Sequence, residues 1–110
     1  MKSLDARIHL DTIEVYQVAM TQTFATWLDG LRDPRVRLRV VARLRQATSG
    51  NFGDWKSIEG PLSEMRLHFG SGYRLYFTRR GQVLIVVLAG GDKASQHQDI
   101  QKAKRLLEEL

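Results

Sequence analysis

The run EMRLHFGSGYRLYFTRRGQVLIVVLAGGDK, Glu64–Lys93, decides the fold. Met65, Leu67 and Phe69 alternate with Glu64, Arg66 and His68, the period of a strand with one apolar face. Gly70-Ser71-Gly72 then supplies a turn whose glycines accept positive φ. Alternation resumes with Tyr73, Leu75 and Phe77 on one face and Arg74, Tyr76 and Thr78 on the other. Pairing Phe69 with Tyr73 sets His68 opposite Arg74 and Arg66 opposite Tyr76. A second turn at Arg80-Gly81 returns the chain as Val83–Ala89, with Leu84 opposite Phe77 and Leu88 opposite Tyr73. VLIVVLA is apolar on both faces, as in a strand buried within a sheet. Its end at Ala89 falls beside Gly72, so Gly90-Gly91-Asp92-Lys93 emerges where His68 and Arg74 sit. Arg66, His68, Arg74 and Lys93 therefore converge, and chemistry is expected there.

Upstream of this meander, Asn51–Ser63 holds a short strand, Trp55–Ile58, closed by a break at Gly60-Pro61. Lys56 on that strand is either a further contributor to a basic, polyanion-binding surface or simply an exposed lysine, the commoner case. Before it, Asp33-Pro34 opens a helix running to about Ser49, an N-cap acid followed by proline in the first turn. Val36, Val40, Leu44 and Ala47 form its apolar stripe. Arg35, Arg39 and Arg43 recur along another face, and five arginines with no acid lie in the eleven residues Arg35–Arg45. Such a run gains nothing from internal ion pairs and repels itself, which favours a polyanion-facing surface over a solvated face. Phe24, Trp27, Leu28 and Leu31 mark an earlier helix over Thr21–Leu31, capped by Thr21 or Thr23; its aromatic stripe is core. Thr12–Met20 is rich in strand formers, with Ile13, Val15, Tyr16 and Val18 as buried candidates. Residues 1–11 have no periodicity and read as a flexible extension.

Downstream, Ser95 and Gln98 have the spacing of a capping box, and Ile100, Ala103, Leu106, Leu107 and Leu110 supply the buried stripe of a last helix. The order predicts one α+β domain over residues 1–110: a small, mostly antiparallel sheet with two N-terminal helices and a C-terminal helix, the helices packed on one face.

At 110 residues the chain supports one modest core. It lacks cysteine, which excludes a disulfide framework and fits an intracellular protein. The longest apolar run, Val83–Ala89, is too short for a bilayer, and the charged MKSLDARIHLD contains no signal-peptide core, so a cytoplasmic location with no membrane partner is expected. Net charge is +5, and twelve of the seventeen basic residues are arginine. The planar guanidinium fork matches phosphate and carboxylate oxygens, so the charge points to nucleic acid or to an acidic protein partner.

Several chemistries are excluded. His9, His68 and His97 are scattered and have no cysteine to complete a zinc site. Acids do not cluster as a two-metal nuclease requires. Gly90-Gly91-Asp92-Lys93 lacks P-loop spacing. What remains is chemistry on a phosphate by arginine, lysine and histidine, with no cofactor.

FATWLDGLRD (24–33), ARLRQATSGNFGDWK (42–56), SEMRLHFGSGYRLYF (63–77) and LAGGDKASQHQDI (88–100) together resemble the RelE/ParE toxin superfamily, most closely its RelE/HigB branch of addiction-module killer proteins. The resemblance implies a RelE-like fold and a type II toxin that cleaves messenger RNA, commonly on the ribosome. It also implies a cognate, DNA-binding antitoxin encoded alongside. Arg74 takes the family's catalytic arginine position, Arg66 a basic strand position, Lys93 the basic position after the last core strand and Lys56 a frequently basic one. The RelE archetype carries a tyrosine near its C-terminus. SQHQD (95–99) has none, leaving His97 as a candidate for proton transfer. The expected reaction is metal-independent attack of a 2′-hydroxyl on the adjacent phosphate. Arg74, with Arg66 or Lys93, stabilises the transition state; acid and base come from His68, His97, Lys93 or ribosomal RNA. The alternative is a ParE-like gyrase inhibitor that binds without cutting.

Overall fold

The computed structural model describes residues 15–110. The expected extension over residues 1–11, and Ile13 as a core residue, lie outside the described residues. Among the described residues five strands form one sheet in the order β1-β5-β4-β3-β2, where β1 is Gln17–Met20, β2 Trp55–Glu59, β3 Leu62–Leu67, β4 Tyr73–Arg80 and β5 Leu84–Gly91. β1 runs parallel to β5, and every other pairing is antiparallel. The helices are α1 (Gln22–Asp29), α2 (Pro34–Thr48) and α3 (Gln96–Glu108). This is the expected α+β domain, with two helices before the meander and one after it. Among the described residues no helix is long and apolar enough to cross a membrane.

The helices do not share a face, contrary to the sequence expectation. Met65, Leu67, Leu75, Phe77, Ile85 and Val87 pack with Phe24 and Leu28 of α1 and Val36, Val40, Leu44 and Ala47 of α2. Leu62, Tyr76, Val86, Leu88 and Ala89 pack with Ala103 of α3 on the other face. The doubly apolar VLIVVLA reflects this: an interior strand covered on both sides needs no polar face. Leu110, assigned to the buried stripe of α3, is 48% exposed, and so is half of Val15 (50%).

Helix starts follow local chemistry. Thr21 caps α1, its Oγ1 accepting from Phe24 N at 3.0 Å while its hydroxyl donates to Leu88 O at 2.6 Å, which ties the cap to β5. Asp33 caps α2 ahead of Pro34. Ser95 is the N-cap of α3, but no capping box forms. Its hydroxyl instead donates to Asp99 Oδ2 at 2.5 Å.

The register of the meander also differs from expectation. β3 stops at Leu67, because Phe69 leaves the ladder to pack on Tyr73, with centroids 5.4 Å apart. Its own N–H turns back to Leu67 O, and Gly72 N–H closes onto Phe69 O. Five residues, 68–72, thus connect the strands, with Gly70 and Gly72 at φ 56° and 78°. Leu67, not Phe69, faces Tyr73; Arg66 faces Arg74, and Glu64 faces Tyr76. On the other side a bulge sets Tyr76 opposite Ala89 but Phe77 opposite Val87, leaving Leu88 as the extra residue. Arg74 consequently lies opposite Gly91.

The bulge rotates Gly90 to the α1 face and leaves Gly91 on the α3 face. A Cβ on Gly90 would sit 2.5 Å from the Trp27 ring; one on Gly91 would sit 1.8 Å from Asp99 Oδ2. Each glycine admits a helix from the opposite side of the sheet.

Candidate functional site

Arg66 and Arg74 are cross-strand neighbours on the α3 face, where two like charges repel. Glu64 resolves the conflict. Its carboxylate is fully buried; Oε2 accepts from Arg66 Nε at 2.8 Å and lies 3.9 Å from Arg74 Nη1. Oε1 accepts from Gln96 Nε2 of α3 at 3.2 Å. The hydrogen bond to Glu64 holds the Arg66 pKa above its ordinary value. Because one carboxylate serves two guanidinium groups, the cluster keeps a positive charge. The Arg66 and Arg74 side chains remain 29% and 13% exposed, enough to present their forks to an anion.

These arginines floor a cleft of about 490 Å³ whose other walls include His68, the Phe69–Gly72 turn and Lys93. Lys93 N–H donates to Ser71 O at 3.3 Å, fastening the turn to the end of β5. The Lys93 side chain is exposed and has no carboxylate partner among the described residues. Arg66, Arg74, Lys93 and His68 thus do line one cleft.

His68 reaches it differently from the expected pairing with Arg74. It lies beyond the end of β3, exposed on the rim, with Nε2 bound to Asp54 Oδ2. That hydrogen bond holds the Asp54 carboxyl below its ordinary pKa, and weaker attraction to Arg66 and Arg43 adds to it. A carboxylate that fixes Nε2 leaves Nδ1 as the free ring nitrogen, an arrangement suited to moving a proton. His97 is exposed on the first turn of α3; its neighbour Gln96, not His97, meets Glu64.

Lys56 lies in register with Glu64 from β2, exposed on the flank of the cluster. Of the α2 arginines, Arg35 is paired with Asp33, Nη2 to Oδ2 at 3.0 Å. Arg43 donates to Phe52 O at 3.0 Å and Asp54 O at 2.7 Å, and burial lowers its pKa. Arg39 lies over the Phe69 ring, 4.6 Å from its centroid. Only Arg39 of these three presents a guanidinium with neither an acid nor a carbonyl partner among the described residues.

Sequence reasoning missed Glu64 as the hub and Gln96 as its second anchor. The E-x-R spacing on one strand face was the available signal for Glu64; nothing local announced Gln96. Tyr76 backs the cluster, fully buried, its hydroxyl without a protein partner among the described residues. Burial raises its pKa, and the nearby negative charges of Glu64 and Asp99 raise it further. A phenol so held stays protonated and does not act as a base at neutral pH. Among the described residues no three His, Cys, Asp or Glu side chains converge as a metal site would need.

No family model matches the chain. A protein of Haemophilus influenzae described as uncharacterized is 42% identical over 94 residues, spanning 86% of this chain and 95% of its own. The solution structure of a conserved hypothetical protein from Helicobacter pylori aligns with a TM-score of 0.47 at 15% identity, covering 72% of this chain and 96% of that one.

Proposed function

The chain belongs to one family with the Haemophilus influenzae protein, and from the chemistry of its cleft we propose that it is a metal-independent endoribonuclease. In this reading it is a toxin of the RelE/HigB kind that its motifs resemble, cutting messenger RNA on the ribosome and restrained by a cognate antitoxin. The observation that carries the proposal is the paired Arg66 and Arg74, held by one buried carboxylate and sharing a cleft with Lys93, which has no carboxylate partner among the described residues.

The reaction assigns each group a role. The 2′-oxygen attacks the adjacent phosphorus, its proton passing to Nδ1 of His68, whose other nitrogen is fixed by Asp54. The bond from phosphorus to the 5′-oxygen breaks, and the Lys93 ammonium returns a proton to the leaving oxygen. Arg74 and Arg66 bind the non-bridging oxygens, whose charge grows in the transition state. Arginine keeps its proton at neutral pH and so contributes charge, not base catalysis. The products are a 2′,3′-cyclic phosphate and a free 5′-hydroxyl.

Product-end mapping tests this in a purified translation reaction and on free RNA, beside a gyrase supercoiling assay. Cyclic phosphate with 5′-hydroxyl ends, and no cut at a site carrying a 2′-deoxy nucleotide, are the expected results. Ends bearing 5′-phosphate, or cleavage at the deoxy position, overturn the mechanism. Loss of supercoiling with intact RNA replaces it with inhibition by binding. In cells, Arg74→Ala should relieve growth arrest while the protein remains folded, because the substitution leaves Glu64 bonded to Arg66 and Gln96.

A further inference from the structure

Past His68 and Phe69 the cleft continues into a second recess of about 270 Å³ against α2, sharing Leu67, His68 and Phe69 as walls. Its chemistry is planar where the first is ionic. The Arg39 guanidinium lies over Phe69, which Tyr73 buttresses in turn. Arg39 is exposed, lines the recess and has no carboxylate partner among the described residues. Gln46 also lines the recess, exposed, its carboxamide making no hydrogen bond among the described residues. Arg43 forms part of the wall, with Nε donating to Phe52 O and Nη2 to Asp54 O.

We infer that this recess is a nucleobase subsite: the base of a nucleotide flanking the scissile phosphate stacks on Arg39 and presents its edge to Gln46. The inference rests on the nuclease reading and adds to it the element that selects sequence. A flat guanidinium lying over an aromatic ring is a stacking platform that any base can use. A second phosphate would find poorer company here, since the Asp54 carboxylate stands beside His68 and Arg43 Nε and Nη2 are already turned to carbonyls. The Gln46 carboxamide offers one donor beside one acceptor, the pattern that pairs with the N6/N7 edge of adenine.

The test is a set of short RNAs carrying each of the four bases, or an abasic residue, at each position flanking the cut. Cleavage is measured as free RNA and as message in a purified translation reaction. Removing the base at one flanking position should slow the wild type about tenfold, the scale of one base–platform stack. Arg39→Lys keeps the charge, loses the plane and alters only an exposed side chain. It should slow cleavage of intact RNA by a similar factor yet cut the abasic RNA as fast as wild type does. Gln46→Ala should level the preference among the four bases at that same position, where wild type favours adenine. Equal slowing of intact and abasic RNA by Arg39→Lys would assign Arg39 a point-charge role and overturn the subsite. So would a wild type indifferent to the base at every flanking position. In both cases the nuclease reading survives. A wild type that cuts none of the RNAs in either setting removes that reading and the subsite with it.

Discussion

Glu64 shows how one buried carboxylate sets the behaviour of its neighbours. Without its charge, Arg66 and Arg74 repel across the ladder and lose their common reference. Glu64→Gln preserves shape and an acceptor for Arg66 but removes that charge. If the arginines act on the transition state, turnover at saturating RNA should fall by roughly tenfold to a hundredfold while KM moves little, because misplaced forks cost more there than in the ground state. Single-turnover cleavage checks it. Asp54 and Asp33 make a second residue-level case. Hydrogen bonds from His68 and from Arg35 hold both carboxyls below their usual pKa of 3.8 in the fold. A depressed folded value means the stabilisation is present above the unfolded pKa and is lost as pH falls through the folded one. Melting temperature should therefore decline below about pH 4, and the pair Asp33→Asn with Asp54→Asn should flatten that decline, asparagine still serving as a cap. Of these residues, the convergence of Arg66, Arg74 and Lys93 was legible from strand alternation. The place of His68 was not, because it depends on Phe69 leaving the ladder for an aromatic neighbour, which no local spacing reports.

Helix α2 is the element whose sequence and structure say different things. Its apolar stripe, its Asp33 cap and its end near Ser49 follow from the 3.6-residue period and turn chemistry, and all are observed. The arginine run looks like a uniform basic face. In the fold its members are specialised: Arg35 is neutralised at the cap, Arg37 donates to Leu31 O at 2.9 Å, Arg43 clamps the Phe52–Asp54 loop, and Arg39 stacks. The clamp is tight enough that a Cβ on Gly53, at φ 64°, would fall 2.5 Å from Arg43 Nε. Arg43→Ala should cost roughly 2 kcal/mol in urea unfolding, the scale of charge-assisted bonds to carbonyls. It should also loosen Asp54, the partner of His68. Arg39→Ala should leave stability within about 0.5 kcal/mol, as for an exposed site. A charge run on one helix therefore carries no information about which charges are already engaged, because their partners come from loops ten residues away or from another face.

For the whole molecule, two helical layers and one sheet meet at Gly90-Gly91. The sequence order of elements, and the interior character of Leu84–Gly91, predict an α+β sheet correctly. The bulge at Leu88, which sets Gly90 beneath Trp27 of α1 and Gly91 beneath Asp99 of α3, is announced by no residue type. Because Gly91 lies under Asp99, Gly91→Ala should cost roughly 3 kcal/mol in equilibrium unfolding, within the range for overfilling a packed contact. Gly90→Ala should push Trp27 outward, visible as a shift in its fluorescence. The parallel pairing of β1 with β5 has a further consequence, in the order of events during synthesis. Gln17–Met20 pair with Leu84–Val87, and the Thr21 hydroxyl reaches Leu88 O, 67 residues further along the chain. A nascent chain that has not yet released β5 from the ribosome can offer neither the edge strand nor the first helix a place to dock. Glu64 likewise waits for Gln96. The cleft is thus assembled last, after nearly all of the chain has emerged, and a polypeptide interrupted early is born without it.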